Sequence, residues 1–310
     1  AAMGRMAYPE MRRAGYSEKF SLGLLVASAE TALLIPPSIT LIIYGWITGT
    51  SISQLFAAGL GVGIVLGLAF AVFVELQARR DKVSHGDRVP WSGRLRAVWD
   101  AKWALGMPVI IIGGIAGGIF TATEAGSIAV MYSLLVGKFY YKQFEVRELP
   151  RILLSSAALT VMVMAIIVFA AVFGWLLAWQ NVHETITTAI TSISSNKYVF
   201  LGIIITFVLI LGTVMEVLAI ATIFGPLLNT LAIQYGFDPI YFGVLLAILM
   251  QVGGITPPVG ILLNITCGMA GTKPGQCLNY IGVFIAVITA VVILAILFPP
   301  LITFLPNAVL

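Results

Sequence analysis

The sequence predicts an all-α polytopic membrane protein, built as an inverted repeat with broken helices and a re-entrant hairpin. Only 10% of the 310 residues are charged and 60% are hydrophobic, whereas a soluble domain carries about 25% charged residues. Long apolar stretches recur along the chain, and most of them reach the roughly 20 residues needed to cross a bilayer. A Pro-Pro pair occurs twice near the middle of such a stretch. This composition excludes a soluble enzyme, a disordered chain and a disulfide scaffold.

The positive charges predict how the apolar stretches cross the membrane. These stretches occupy residues 20–50, 52–77, 104–120, 122–137, 152–179, 198–234, 239–271 and 279–305. Basic residues cluster in 1–20, 78–103 and 138–151, which the positive-inside rule places in the cytoplasm. If 198–234 enters the membrane and returns on the same side, 16 of the 17 basic residues are cytoplasmic. A simple crossing at 198–234 is the alternative, and it would place Lys273 outside.

An internal repeat relates the two Pro-Pro pairs. Ile35-Pro36-Pro37-Ser38 precedes Thr256-Pro257-Pro258-Val259 by 221 positions, and Leu41 precedes Leu262 by the same offset. Coincidence in an apolar chain of low complexity is the alternative. The predicted topology sends the first copy outward and the second inward, and inverted repeats are the usual construction of secondary transporters.

The repeat predicts three parts of the chain. Residues 1–77 form the C-terminal part of the first repeat, and 78–103 form a cytoplasmic basic loop with an interfacial helix. Residues 104–310 form the second repeat, in which two short helices turn near Thr121 and a re-entrant hairpin covers 198–235.

Each Pro-Pro pair predicts a break that can bind ions. Proline has no N–H and clashes with the carbonyl four residues back, so two prolines force a helix apart. A membrane bundle tolerates freed carbonyls where they line a cavity, where they can hold a cation, and the restarted helix offers N–H groups to an anion. Ser38, Thr40, Thr256 and Asn264 add polar side chains nearby. A purely structural kink is the alternative.

Three carboxylates, Glu30, Glu124 and Glu216, lie within apolar stretches and have no Lys or Arg within ten positions. Charges at membrane depth cost about 2.5–3.5 kcal/mol on insertion scales and usually face a wet cavity. The alternative is a protonated side chain hydrogen-bonded to a neighbouring helix. Glu216 follows the predicted hairpin tip at 212–215. No metal-ligand cluster or nucleophile–base pair accompanies the three carboxylates, so we expect no enzyme, no transition metal and no nucleic-acid partner.

Five segments resemble the large membrane subunit of TRAP transporters, the DctM type of the ion transporter superfamily. They are LLIPPSITLIIYGWITGTSISQLFAAG at 33–59, GGIAGGIFTATEAGSIAVMYSLLVGKF at 113–139, GFDPIYFGV at 236–244, GGITPPVGILL at 253–263 and FPPLITFLP at 298–306. The resemblance implies an elevator-type, sodium-coupled importer of small organic acids in the bacterial inner membrane. It also implies two partners, a small four-helix membrane subunit (DctQ type) and a periplasmic solute-binding protein (DctP type), and no cofactor besides sodium ions.

The resemblance and the breaks together mark the predicted site. For sodium we expect Pro36, Pro37, Ser38, Gly212, Glu216, Gly254, Thr256 and Pro257. For substrate we expect Glu30, Thr40, Thr213, Pro258, Gly260 and Asn264. Thr123 and Glu124 match a family signature to which we assign no role.

Two departures from the family qualify this prediction. The partner of the hairpin tip at 212 would fall before residue 1, so we expect the first hairpin tip and all that precedes it to be missing from this chain. Residues 28–33 (SAETAL) stand where many members are glycine-rich and uncharged, which suggests a subfamily with its own substrate. A channel or structural subunit is the alternative function, and an intramembrane enzyme that uses the three carboxylates is a third hypothesis.

Overall fold

The computed structural model of the protein describes residues 2–83, 90–142, 145–256, 260–272, 275 and 278–309. Within these residues it is helical and contains no strand. The α-helices are α1 Ala2–Arg13, α2 Glu18–Thr31, α3 Ile39–Thr48, α4 Ile52–Arg80, α5 Trp91–Asp100, α6 Lys102–Ala116, α7 Ala122–Leu135, α8 Leu149–Trp179, α9 Val182–Ile193, α10 Lys197–Gly212, α11 Val217–Gln234, α12 Pro239–Ile255, α13 Ile261–Ala270, α14 Leu278–Leu297 and α15 Pro300–Val309. A π-helical turn, Val136–Tyr140, follows α7, and a 3-10 turn, Val146–Glu148, precedes α8.

Several of these helices are long and apolar enough to cross a membrane. Among the described residues four helices meet this test, within α4, α8, α11 and α14, and a fifth span results if the pair α5 and α6, bent by 64°, is counted as one. The prediction of an all-α polytopic membrane protein is therefore confirmed.

The helices end near the predicted breaks. The stretch 20–50 is interrupted between α2 and α3, and α10 is separated from α11 by residues 213–216, the predicted hairpin tip. Residues 117–121 form the turn between α6 and α7. The second Pro-Pro pair lies outside the described residues, as does Lys273. The re-entrant path of 198–234 therefore stays a prediction.

Packing divides the chain into two compact units. Residues 1–86 together with 174–310 form one unit, and residues 87–173 form the other. In the first unit α12 is the central helix. It contacts α2 and α3 of the first break, α10 and α11 of the hairpin, and α13. Because α12 is apolar on all sides, it can be buried on all sides.

Two local features position the first break against its neighbours. A cluster of phenylalanine rings packs α2, α4 and α14 together. The ring centroids of Phe20, Phe70 and Phe73 each lie 5.2–6.0 Å from that of Phe284, and the centroids of Phe20 and Phe73 lie 6.2 Å apart. On α4, a Cβ added to Gly59 would lie 2.6 Å from the Leu34 carbonyl oxygen. The small residue therefore allows the helix to touch the backbone of the break.

Candidate functional site

Ser38 holds together the two sides of the first break. Its hydroxyl donates to the Leu33 carbonyl, at the end of α2, and accepts from the Leu41 N–H at 3.2 Å, in the first turn of α3. One side chain thus satisfies a carbonyl freed on one side of the break and an N–H left free on the other. Two residues further on, Thr40 is buried, and its Oγ1 has no hydrogen-bond partner among the described residues.

Glu216 caps the second helix of the predicted hairpin. Its Oε2 accepts from the Leu218 N–H at 2.7 Å and from the Ala219 N–H at 3.2 Å. A carboxylate in this position neutralises the positive end of the helix dipole of α11. The sequence therefore has a local reason for an acidic residue at the hairpin tip.

A contact between two glycines holds the hairpin tip against α12. A Cβ added to Gly212 would lie 2.6 Å from the Gly253 Cα and 3.2 Å from its carbonyl carbon. Because both contacts are to backbone atoms, no side-chain rearrangement can relieve them. The two helices can approach this closely only without side chains at this crossing.

The end of α12 brings Glu30 next to the hairpin. A Cβ on Gly254 would lie 3.2 Å from Glu30 Oε1 and 3.7 Å from Val217 Cγ2. Glu30 is only 3% exposed, and its Oε2 has no hydrogen-bond partner among the described residues. Thr256 ends α12 and donates from its Oγ1 to the Val252 carbonyl at 2.6 Å.

These elements enclose one cavity of about 220 Å³. Its described lining residues are Glu30, Leu33, Gly212, Met215, Glu216, Val217, Gly254, Gly260 and Leu262. Two carboxyl groups, those of Glu30 and Glu216, thus face the same cavity, and none of its described lining residues is basic. The cavity is thus built from the first break, the hairpin tip, the end of α12 and the start of α13, and two carboxyl groups line it.

The structure brings together five of the residues predicted from sequence. Glu30, Gly212, Glu216, Gly254 and Gly260 all line the cavity. Other predicted residues are described but are not among its lining: Pro36, Pro37, Ser38, Thr40, Thr213, Thr256 and Asn264. Pro257 and Pro258 lie outside the described residues. Their roles in binding stay predictions.

Sequence reasoning missed the apolar lining and a buried amide. Leu33, Met215, Val217 and Leu262 contribute to the cavity, but in an apolar chain nothing distinguishes them from core residues. Gln251 is 1% exposed, and both polar atoms of its side chain have no partner among the described residues. It is the one amide in α12, which is a signal that the sequence contained.

Thr123 and Glu124 belong to the unit formed by 87–173. Glu124 Oε2 accepts from the Thr121 N–H at 2.8 Å, and the Thr121 Oγ1 accepts from the Glu124 N–H at 3.3 Å. This reciprocal pair is a capping box, and it starts α7. Thr123 is exposed. The geometry therefore gives Glu124 a capping contact.

A polytopic helical bundle whose helices break around a cavity lined by carboxylates is typical of a membrane transport protein. Comparison with known proteins gives the particular family. The family described as "Tripartite ATP-independent periplasmic transporter, DctM component" matches residues 1–301. The chain therefore belongs to the DctM family of TRAP transporter large permeases. This family is a class of transporter components and not a class of enzymes.

Curated relatives extend this similarity. The chain is 34% identical over 307 residues to the C4-dicarboxylate TRAP transporter large permease protein DctM of Pseudomonas aeruginosa, covering 99% of this chain and 72% of the relative. It is 32% identical over 303 residues to the isethionate TRAP transporter permease protein DctMQ of Oleidesulfovibrio alaskensis, covering 95% and 46%. It is 34% identical over 263 residues to the ectoine TRAP transporter large permease protein TeaC of Halomonas elongata, covering 84% and 61%. The chain thus spans only part of the length of each relative.

Proposed function

We propose that this chain belongs to the large membrane subunit of a sodium-coupled transporter that imports a small organic acid across the bacterial inner membrane by an elevator movement. Its partners are a periplasmic solute-binding protein, which delivers the substrate, and a small four-helix membrane subunit. The observation that supports this most directly is the cavity at which the first break, the hairpin tip and the end of α12 meet. In transporters built from repeats, the substrate and the coupling ions bind where such discontinuous helices meet.

The oxygen atoms around the cavity support sodium as the coupling ion. A hard cation prefers oxygen ligands, and Glu216 supplies a carboxylate at the hairpin tip. Outside the cavity lining, Thr40 in α3 carries a further buried hydroxyl oxygen without a described partner. A cation in the cavity would also be attracted by both carboxyl groups that line it. Sodium would supply the charge that balances this region, and its gradient would drive the transport cycle.

The test is uptake by the complete transporter in proteoliposomes. The permease is reconstituted with its small subunit and supplied with its binding protein, and succinate, isethionate and ectoine are offered as labelled solutes. We expect one of them, or a close chemical relative, to accumulate only with an inward sodium gradient. Uptake that is equal without sodium refutes the coupling. A current that persists without the binding protein indicates a channel instead.

The substitution Glu216→Gln tests whether Glu216 belongs to the sodium site. We expect the sodium concentration for half-maximal uptake to rise about tenfold, equivalent to ~1.4 kcal/mol, because the hairpin tip loses its charge. The matched control is Glu75→Gln, since Glu75 is an exposed carboxylate on α4 that pairs with Arg79. Equal sodium dependence in both variants and the wild type would remove Glu216 from the sodium site.

A further inference from the structure

The acidic side chains that line the cavity are unusual for a site that binds a simple anion. Glu30 and Glu216 both line it, and no described lining residue is basic. Even with sodium bound at Glu216, a dicarboxylate would still be repelled there by an ionised Glu30.

The nearest helix N-terminus that could offset this repulsion is already occupied. The N-terminus of α11 would be a natural anion site. However, the Leu218 and Ala219 N–H groups donate to Glu216. The positive end of this helix is thus neutralised by the protein itself.

The N-terminus of α13 differs from that of α11 in its capping. Gly260 precedes it with φ at 39°, and no side-chain hydrogen bond from the described residues caps it. Gly260 and Leu262 line the cavity, so the first turn of α13 can offer backbone N–H groups to a carboxylate of a bound solute.

Glu30 supplies the cavity with a carboxyl group that can bind the cationic end of a solute. It is a buried carboxylate whose Oε2 has no described partner, and its Oε1 lies beside Gly254. A buried carboxylate oxygen without a hydrogen-bond partner is costly. A solute with N–H donors and a positive charge would satisfy it.

We propose that this cavity selects a compact zwitterion, with its ammonium or amidinium group at Glu30 and its carboxylate at the start of α13. The inference rests on the proposed transport function and names the substrate class. The cavity volume of about 220 Å³ suits a small solute. A side chain at position 254 would press against Glu30, so glycine there keeps the carboxyl group free to meet the solute.

The test compares solutes of the same shape that differ in charge. β-Alanine and butyrate have the same number of heavy atoms, but an ammonium group replaces a methyl group. Their apparent affinities for the complete detergent-solubilised permease are measured by thermal stabilisation at saturating sodium, with ectoine as a second zwitterion. We expect β-alanine to bind at least about tenfold more tightly than butyrate, because a charged hydrogen bond to Glu30 is gained.

Glu30→Gln should bring this affinity ratio close to one, whereas Glu75→Gln should leave it unchanged. The inference is overturned if butyrate binds the wild type as tightly as β-alanine, if neither β-alanine nor ectoine stabilises it, or if the ratio survives in Glu30→Gln. Should that variant not fold, the wild-type comparison decides alone. Stabilisation by sodium without any solute is measured in parallel. Its absence counts against the proposed coupling, whereas its presence with no preference for zwitterions counts against this inference only.

Discussion

Replacing Gly212 with alanine should push the hairpin tip away from α12. The new Cβ would lie 2.6 Å from the Gly253 Cα, whereas carbon atoms in contact lie about 3.5–4.0 Å apart. The end of α10 must therefore move by about 1 Å. Because the clash is with backbone, no rotamer change can absorb it.

The size of the effect follows from two opposing terms. Overpacking in a tight core costs about 1–3 kcal/mol. Alanine also stabilises a helix by about 1 kcal/mol relative to glycine, which offsets part of that cost. Gly202→Ala is the matched control, because Gly202 lies in the same helix and has no atom within 4 Å of its added Cβ. The difference between the two variants isolates the overpacking term, about 1–3 kcal/mol.

The assay is thermal unfolding of the purified permease, followed by sodium-driven uptake. We expect Gly202→Ala to melt at or slightly above the wild-type temperature and Gly212→Ala to melt below it. Uptake should fall for Gly212→Ala, since Gly212 also lines the cavity. Equal melting temperatures for the two variants would refute the close contact between the hairpin and α12.

Two further substitutions test how the first break is held. Ser38→Ala should destabilise the protein by about 1–3 kcal/mol, measured by thermal unfolding, because the Leu33 carbonyl and the Leu41 N–H both lose their partner. Tyr44→Phe should cost about 1–3 kcal/mol in the same assay, because the buried Tyr44 hydroxyl donates to the Asn229 Oδ1 at 2.8 Å.

Each of these has a control of the same chemistry. Ser51 caps α4 through a 3.5 Å contact from the exposed Gln54 N–H, so Ser51→Ala should have a smaller effect than the change at Ser38. Tyr198 is 60% exposed, so Tyr198→Phe should be close to neutral. If either control is as destabilising as its buried counterpart, the burial argument is wrong.

The residues that mark breaks and caps could be recognised from the chain itself. Pro36 and Pro37 have no N–H to continue a helix, and the structure interrupts the helix there. Glu216 could be recognised because an acidic residue in an apolar run needs a partner, and it finds two backbone N–H groups. The helix interruption at Pro36 and Pro37 agrees with the prediction because it depends on the backbone of single residues, whereas the sodium-binding role of Glu216 stays a prediction.

The cavity itself could be predicted only in part. Glu30 is a candidate site residue because it is an acidic residue in an apolar stretch. Nothing in its local sequence indicates that Gly254, more than 200 positions away, lies beside it. The role of Gly212 likewise depends on Gly253, which comes from another helix. Contacts between distant segments follow from packing, and packing leaves no periodic signal in a chain that is apolar throughout.

The sequence by itself therefore determined that the protein lies in a membrane, that it is helical, and where its helices are interrupted. Scarce charge requires a lipid environment, and proline and capping residues act on the backbone next to them. Only the tertiary structure decided which breaks meet. It placed the carboxylates of Glu30 and Glu216 in one cavity and left the N-terminus of α13 without a side-chain cap among the described residues. The proposed zwitterion selectivity depends on that arrangement, because the residues that would contact the solute are far apart in the sequence.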